Sequence, residues 1–122
     1  MNRAMLLPLL AATQAFAQTA PADFPADATT LSAAALQEAF AGKVFAVKLT
    51  DGTGWRLEYK SNGYFWVNTS KGFSDTGKWS TTDGKLCGEG QKIRASCNEV
   101  RANGMALLLK RDSGEIIELV AQ

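Results

Sequence analysis

The chain has 122 residues, of which 46% are hydrophobic and 20% are charged, and its formal net charge is +1. This length supports one domain, and the near-neutral charge gives no general attraction to nucleic acid or to anionic lipid. The sequence has no histidine and only two cysteines, which excludes histidine-based catalytic triads and zinc sites with four cysteine or histidine ligands within the chain.

The first 17 residues contain the parts of a secretory signal peptide in their usual order. Arg3 supplies the positive start, 5–12 is an apolar run too short to span a bilayer, and Ala15-Phe16-Ala17 is a small-x-small cleavage site. We therefore expect cleavage after Ala17 and a periplasmic or secreted protein, with a buried N-terminal helix as the alternative. No cysteine stands directly after the apolar run, and no later segment is long and apolar, so neither a lipid anchor nor a membrane span is expected.

Residues 18–30 (QTAPADFPADATT) have no hydrophobic periodicity and predict a flexible leader. The domain is then expected to cover residues 31–122 and to begin with one helix, residues 32–41. Ser32 is a good N-cap, and Gly42 lies where a left-handed residue commonly ends a helix. Leu36 and Phe40 are one turn apart, so they form an apolar stripe that can dock on a sheet.

After this helix the sequence predicts short strands separated by turns. The candidate strands are residues 43–50, 55–60, 64–70, 77–82, 85–88, 92–100, 105–111 and 115–121. The connections between them are too short for helical crossovers, so the sheet is expected to be antiparallel. The predicted fold class is mainly β, a single antiparallel meander barrel or sandwich of about eight short strands preceded by one short helix.

Asn62-Gly63 separates two of these strands and is typical of a two-residue type I′ turn. Such a turn pairs Tyr59 with Trp66 and sends Phe65 and Val67 to the opposite face of the hairpin. The aromatic residues expected to share one face are Trp55, Tyr59, Tyr64, Trp66 and, from a later strand, Trp79. These residues either fill the interior or line a pocket for one apolar molecule, and both alternatives are open.

Cys87 and Cys97 are the only cysteines, and paired cysteines of an exported chain normally form a disulfide. Two thiols without histidine do not make a metal site, and their spacing is not the C-x-x-C of redox enzymes. We therefore expect a structural disulfide between neighbouring strands and no bound metal. In the same strand as Cys97, Ile93 and Ala95 are expected to share its face.

No catalytic residue and no cofactor are expected. The carboxylates considered are Asp51, Glu58, Asp75, Asp83, Asp112 and Glu115. They fall mostly in turns or on polar strand faces, where turn aspartates bond to the nearby backbone and surface glutamates are solvated. The protein is therefore not expected to be an enzyme, and a hydrolase that uses carboxylates alone is the least favoured alternative.

Several of these features occur together in an order seen in other proteins. They are Ala41-Gly42-Lys43-Val44-Phe45, Trp55 to Tyr59, Gly63, Gly77-Lys78-Trp79, Leu86-Cys87 and Cys97. This arrangement resembles a loose group of small exported bacterial proteins of unknown function, some of them described as calycin-like or lipocalin-like barrels. The resemblance implies a barrel fold and export, and it implies no reaction.

The expected function is that of an exported, non-enzymatic binding or protein-interaction module in the bacterial periplasm. Its partner is expected to be an unidentified protein or a small apolar ligand. A carrier of one small apolar ligand, held in an aromatic-lined barrel, is the alternative to a protein-interaction module.

Overall fold

The computed structural model describes residues 23–122; the predicted signal peptide lies outside the described residues. The elements in chain order are β1 Thr29–Thr30, α1 Ala33–Phe40, β2 Lys43–Lys48, β3 Gly54–Tyr59, β4 Tyr64–Thr69, β5 Ser74–Thr82, β6 Lys85–Gly90, β7 Ser96–Asn103, β8 Ala106–Lys110 and β9 Ile116–Ala121. The mainly β class with one short helix is thus confirmed. Within residues 23–122, no helix is both long and apolar enough to cross a bilayer.

The last eight strands form a closed antiparallel barrel. From β2 to β9 each strand pairs with the next one along the chain, as in a simple meander. β9 then returns to β2, where Phe45 pairs with Ala121 and Ala46 pairs with Val120. Of the two predicted architectures, barrel and sandwich, the protein therefore adopts the barrel, in which the meander closes on itself.

The segment before the helix is packed against the barrel. β1 pairs Thr29 with Ala102 of β7. Phe24 is only 8% exposed, and its ring centroid lies 4.5 Å from the Arg101 guanidinium carbon. The boundary predicted at residue 31 therefore lies inside the packed structure, because a lone aromatic residue and a two-residue strand leave no periodic pattern in the sequence.

Helix α1 covers one end of the barrel. Its predicted caps are confirmed, since the Ser32 hydroxyl oxygen accepts from the Ala35 N–H at 3.1 Å and Gly42 has a φ of 76°. Leu36 and Phe40 are fully buried, so the predicted stripe docks into the barrel end. The Ala33 N–H donates to an Asp83 carboxylate oxygen at 2.8 Å, which ties the helix to the β5–β6 turn.

The opposite end of the barrel is open, and we call it the mouth. Because consecutive strands run in opposite directions, the connections 49–53, 70–73, 91–95 and 111–115 all lie at this end. The β3–β4, β5–β6 and β7–β8 turns lie at the end covered by α1. The barrel therefore has a closed end and a mouth.

The β3–β4 hairpin has a different register from the predicted one. The Lys60 N–H donates to the Tyr64 carbonyl at 2.8 Å, and the Gly63 N–H donates to the Lys60 carbonyl at 3.0 Å. The loop thus contains three residues, with Gly63 at a φ of 94° in the left-handed last position that such loops require. Tyr59 consequently pairs with Phe65 rather than with Trp66.

A shift of one residue exchanges the two faces of β4. Phe65 and Val67 are buried, whereas Tyr64 and Trp66 are 45% and 46% exposed on the outside of the barrel. The prediction that Tyr64 and Trp66 share the face of Tyr59 is therefore wrong. Both faces of β4 carry large apolar side chains, so the hydrophobic pattern alone could not select the register.

The strand predicted at residues 92–100 begins only at Ser96. The Asp75 carboxylate accepts from the Lys92 N–H at 3.0 Å and from the Ile93 N–H at 2.8 Å, so these groups cannot join a β ladder. Residues 91–95 form a loop instead. Ile93 lines the interior, while Cys97 faces outward, so the face predicted to be common to both does not exist.

Candidate functional site

The barrel encloses a cavity of about 540 Å³ that opens at the mouth. Alternation along the strands places one set of side chains inside. The apolar residues that form its walls include Leu57, Phe65, Val67, Trp79, Leu86, Leu109 and Ile117. Its volume and apolar lining are typical of sites for small molecules.

Three of the five predicted aromatic residues, Trp55, Tyr59 and Trp79, line this cavity. Tyr64 and Trp66 do not, because the three-residue loop turns them outward. The same register change brings Phe65 and Val67 into the lining. If a three-residue loop is assumed in place of a two-residue turn, the sequence predicts that these two residues face the interior.

The closed end is built from packed aromatic rings. The Tyr59 ring meets the Phe40 ring edge-on, with their centroids 5.0 Å apart. It meets the Trp79 ring in the same way, with their centroids 5.5 Å apart. The indole Nε1–H of Trp79 donates to the Lys60 carbonyl at 2.9 Å. Edge-to-face contacts and this hydrogen bond hold the rings in fixed positions. Burial raises the pKa of the Tyr59 hydroxyl, which therefore remains a hydrogen-bond donor.

Polar groups surround the mouth. An Arg111 guanidinium nitrogen lies 2.6 Å from a Glu115 carboxylate oxygen, and the guanidinium carbon lies 4.9 Å from the Trp55 ring centroid. The Asn98 amide donates to an Asp112 carboxylate oxygen at 2.8 Å. Asn98 and Arg111 were not predictable as lining residues, because polar residues at strand ends carry no pattern that marks them as such.

The loop of residues 91–95 forms one side of the mouth, and Asp75 holds it in place. Asp75 is 7% exposed. Burial acts to raise the pKa of its carboxyl, but the hydrogen bonds from the backbone N–H groups of Ile93, Lys92 and Gln91 outweigh it and leave the pKa below its ordinary value. A Cβ on Gly90 would collide with this carboxylate, so glycine is required there.

The predicted disulfide is confirmed. Cys87 and Cys97 are bonded and occupy directly opposite positions on β6 and β7. The bridge lies on the outside of the barrel, since the neighbouring Leu86 is buried inside. Within residues 23–122, no group of three or more histidine, cysteine, aspartate or glutamate side chains is placed to hold a metal ion.

The outer face of the β3–β4–β5 region carries the two exposed aromatic residues. The Lys78 ammonium lies 5.8 Å from the Tyr64 ring centroid. Trp66 pairs with Glu58 on one side and with Thr76 on the other. This mixed aromatic and charged surface is separate from the cavity.

One family model matches most of the chain. The chain matches no curated protein and no solved structure. A family model described as "Protein of unknown function (DUF995)" matches residues 6–114. That range contains every cavity-lining residue named above except Ile117. The chain therefore belongs to the DUF995 family of proteins of unknown function.

Proposed function

We propose that the protein is a non-enzymatic binding protein, exported to the periplasm of a bacterium, that holds one small apolar molecule inside its barrel. The observation that carries this proposal is the cavity of about 540 Å³, with its apolar walls, its closed end and its mouth. A small barrel that served only as a scaffold would be expected to fill its interior with side chains.

The lining is suited to binding because much of it is rigid. Trp79 is held by its hydrogen bond to Lys60, and Tyr59 is held by the rings around it. Stiff aromatic surfaces lose little conformational entropy when a ligand arrives, so more of the hydrophobic gain remains as affinity.

The carboxylates nearest the cavity all have structural partners. Asp75 accepts from the backbone of residues 91–93, Asp112 accepts from Asn98, and Glu115 pairs with Arg111. These bonds favour a binding role over the alternative of a carboxylate-only hydrolase, which needs two carboxylates free to act on a substrate.

Two features support export. The first 17 residues contain a positive start, an apolar run and a cleavage site in the order typical of a signal peptide. The Cys87–Cys97 disulfide is of a kind that persists in oxidising compartments such as the periplasm. The mature protein recovered from periplasmic extracts is expected to have the intact mass of residues 18–122, and a retained leader would contradict export by this route.

The binding role is tested with N-phenyl-1-naphthylamine, a neutral dye whose fluorescence increases in apolar surroundings. The wild type is expected to bind the dye. Val67→Phe, which places a ring in the cavity, is expected to weaken binding by roughly tenfold, because overpacking costs about 1–3 kcal/mol. Trp66→Ala is the matched control, since the neighbouring Trp66 lies on the outside and is 46% exposed.

Equal loss of dye binding in both variants, or no binding by the wild type, would contradict the proposal. Thermal melting of each variant shows whether it is folded. A bound ligand is also expected to raise the melting temperature of the wild type through mass action.

A protein partner is the second candidate, and the exposure of Tyr64 and Trp66 favours it. Tyrosine and tryptophan are enriched among residues that dominate binding to other proteins. In that case Trp66→Ala is expected to lose the partner in a pull-down while it keeps the dye.

A further inference from the structure

Within residues 23–122, the buried hydroxyl of Tyr59 has no hydrogen-bond partner. Tyr59 is 8% exposed and lines the cavity. Burial raises the pKa of this hydroxyl. A buried hydroxyl that donates to nothing is unfavourable, and the great majority of buried polar groups in native proteins are bonded.

The hydroxyl cannot escape to bulk solvent, because the ring that carries it is packed on several sides. The Phe40 and Trp79 centroids lie 5.0 and 5.5 Å from the Tyr59 centroid, and that of Phe45 lies 6.2 Å away. Helix α1 supplies Phe40, which is fully buried. The group therefore stays in the interior, near the closed end.

Asn98 and Arg111, which are polar lining groups at the mouth, already have hydrogen-bond partners. Asn98 donates to Asp112, and Arg111 donates to Glu115. A molecule that enters through the mouth passes apolar walls before it reaches Tyr59. Among the lining residues that the structure describes (23–122), Arg111 is the only cation, and it lies at the mouth rather than at the closed end.

We propose that the ligand is an elongated, largely apolar molecule that carries one neutral acceptor oxygen at the end that enters first, and that the Tyr59 hydroxyl donates a hydrogen bond to this oxygen. This inference rests on the proposed function and specifies the chemistry of its ligand. A carbonyl, ether or hydroxyl oxygen meets the requirement. A carboxylate does not, since a buried charge without a counter-charge is strongly unfavourable.

The test compares two probes of nearly equal size, 2-acetylnaphthalene and 2-isopropenylnaphthalene, in which C=O replaces C=CH₂. Each is measured by its displacement of N-phenyl-1-naphthylamine from the wild type and from Tyr59→Phe. The affinity ratio of ketone to alkene is expected to fall by about 2- to 10-fold in Tyr59→Phe, which is the range that one neutral hydrogen bond supplies. Comparison of the ratios cancels the different hydration of the two probes.

Two controls separate this effect from a change in the fold. Tyr59→Phe without ligand is expected to melt at or above the wild-type temperature, because it removes a buried hydroxyl that has no partner. Val67→Ala is expected to change the affinity for both probes in the same proportion, since Val67 has no polar group to offer.

If both probes bind and Tyr59→Phe leaves their ratio unchanged, the inference about the acceptor is wrong and the proposed binding function stands. If neither the dye nor the probes bind to the folded wild type, the proposed function fails, and the inference fails with it.

Discussion

The three tryptophans occupy three different environments. Trp79 is 5% exposed and donates its indole N–H to the Lys60 carbonyl. Trp55 is half-buried at the mouth, where the Arg111 guanidinium stacks on it. Trp66 is 46% exposed on the outer surface. The same residue type therefore contributes to the core, to the mouth of the cavity and to the outer face.

These environments predict different costs of truncation. Trp79→Ala is expected to lower the free energy of unfolding by about 3–5 kcal/mol, as for other buried large-to-small changes. Trp66→Ala is expected to lower it by about 1 kcal/mol or less, because the side chain is half exposed. Denaturant unfolding of both variants measures this difference, and similar losses for the two would contradict the register of β4.

The lowered pKa of Asp75 is expected to make the stability of the protein depend on pH. Its pKa lies below the ordinary value of 3.8, so the folded protein binds the proton less readily than the unfolded chain. The stability that Asp75 contributes is therefore fully present above about pH 3.8 and is lost as the pH falls through the lower pKa of the folded state. Protonation also removes charge from the group that accepts the backbone N–H donors of residues 91–93.

Asp75→Asn is accordingly expected to melt at a lower temperature than the wild type at neutral pH. The difference between the two should shrink as the pH is lowered below about 3.8. Glu118→Gln is the matched control, because it removes the same charge from an exposed strand position. A difference in melting temperature that stays constant from pH 7 to pH 2 would rule out this role for the Asp75 carboxylate.

At the scale of the strands and turns, the approximate positions of the eight barrel strands could be predicted from the sequence, but β1, the start of β7 and the register of the β3–β4 hairpin could not. The loops 50–52, 61–63, 70–72 and 112–114 each contain three residues, and their last glycines have φ values of 90°, 94°, 86° and 95°. Asp83-Gly84 and Gly104-Met105 are two-residue turns, closed by the pairs Thr82–Lys85 and Asn103–Ala106. A polar residue followed by glycine is compatible with both loop lengths, so Asn62-Gly63 did not determine which one forms.

The candidate site was also predictable only in part. Alternation along β3 placed Trp55 and Tyr59 on one face, and the structure confirms this. The mouth was not predictable, because it depends on long-range contacts such as the hydrogen bonds from the loop 91–95 to Asp75. That loop was predicted as a strand, since its apolar Ile93 fits a strand pattern until the carboxylate takes the backbone donors.

The disulfide joins β6 to β7 across the loop 91–95, with a sequence separation of 10. Replacement of both Cys87 and Cys97 by serine is expected to lower the free energy of unfolding by about 2–3 kcal/mol, because the unfolded chain regains the freedom that the bridge removes. Denaturant titration measures this loss. Thiol titration of the denatured, unreduced wild type is expected to find no reactive sulfhydryl, and two reactive thiols would show that the bridge does not form.

At the scale of the whole molecule, the barrel has one closed end and one open end. Helix α1 inserts Leu36 and Phe40 at the closed end, and the disulfide and the Asp75 hydrogen bonds hold the loop at the mouth. The proposed binding role and the chemistry of the ligand both depend on the cavity between these two ends.

The binding proposal is tested most directly by a crystal structure of the protein with 6-bromo-2-acetylnaphthalene, with the bromine located from its anomalous scattering. A bromine peak is expected inside the barrel toward the mouth, near Trp55, with the acetyl oxygen within hydrogen-bond distance of the Tyr59 hydroxyl. A bromine peak found only on the outer face beside Trp66, or an interior filled by side chains, would contradict the binding proposal.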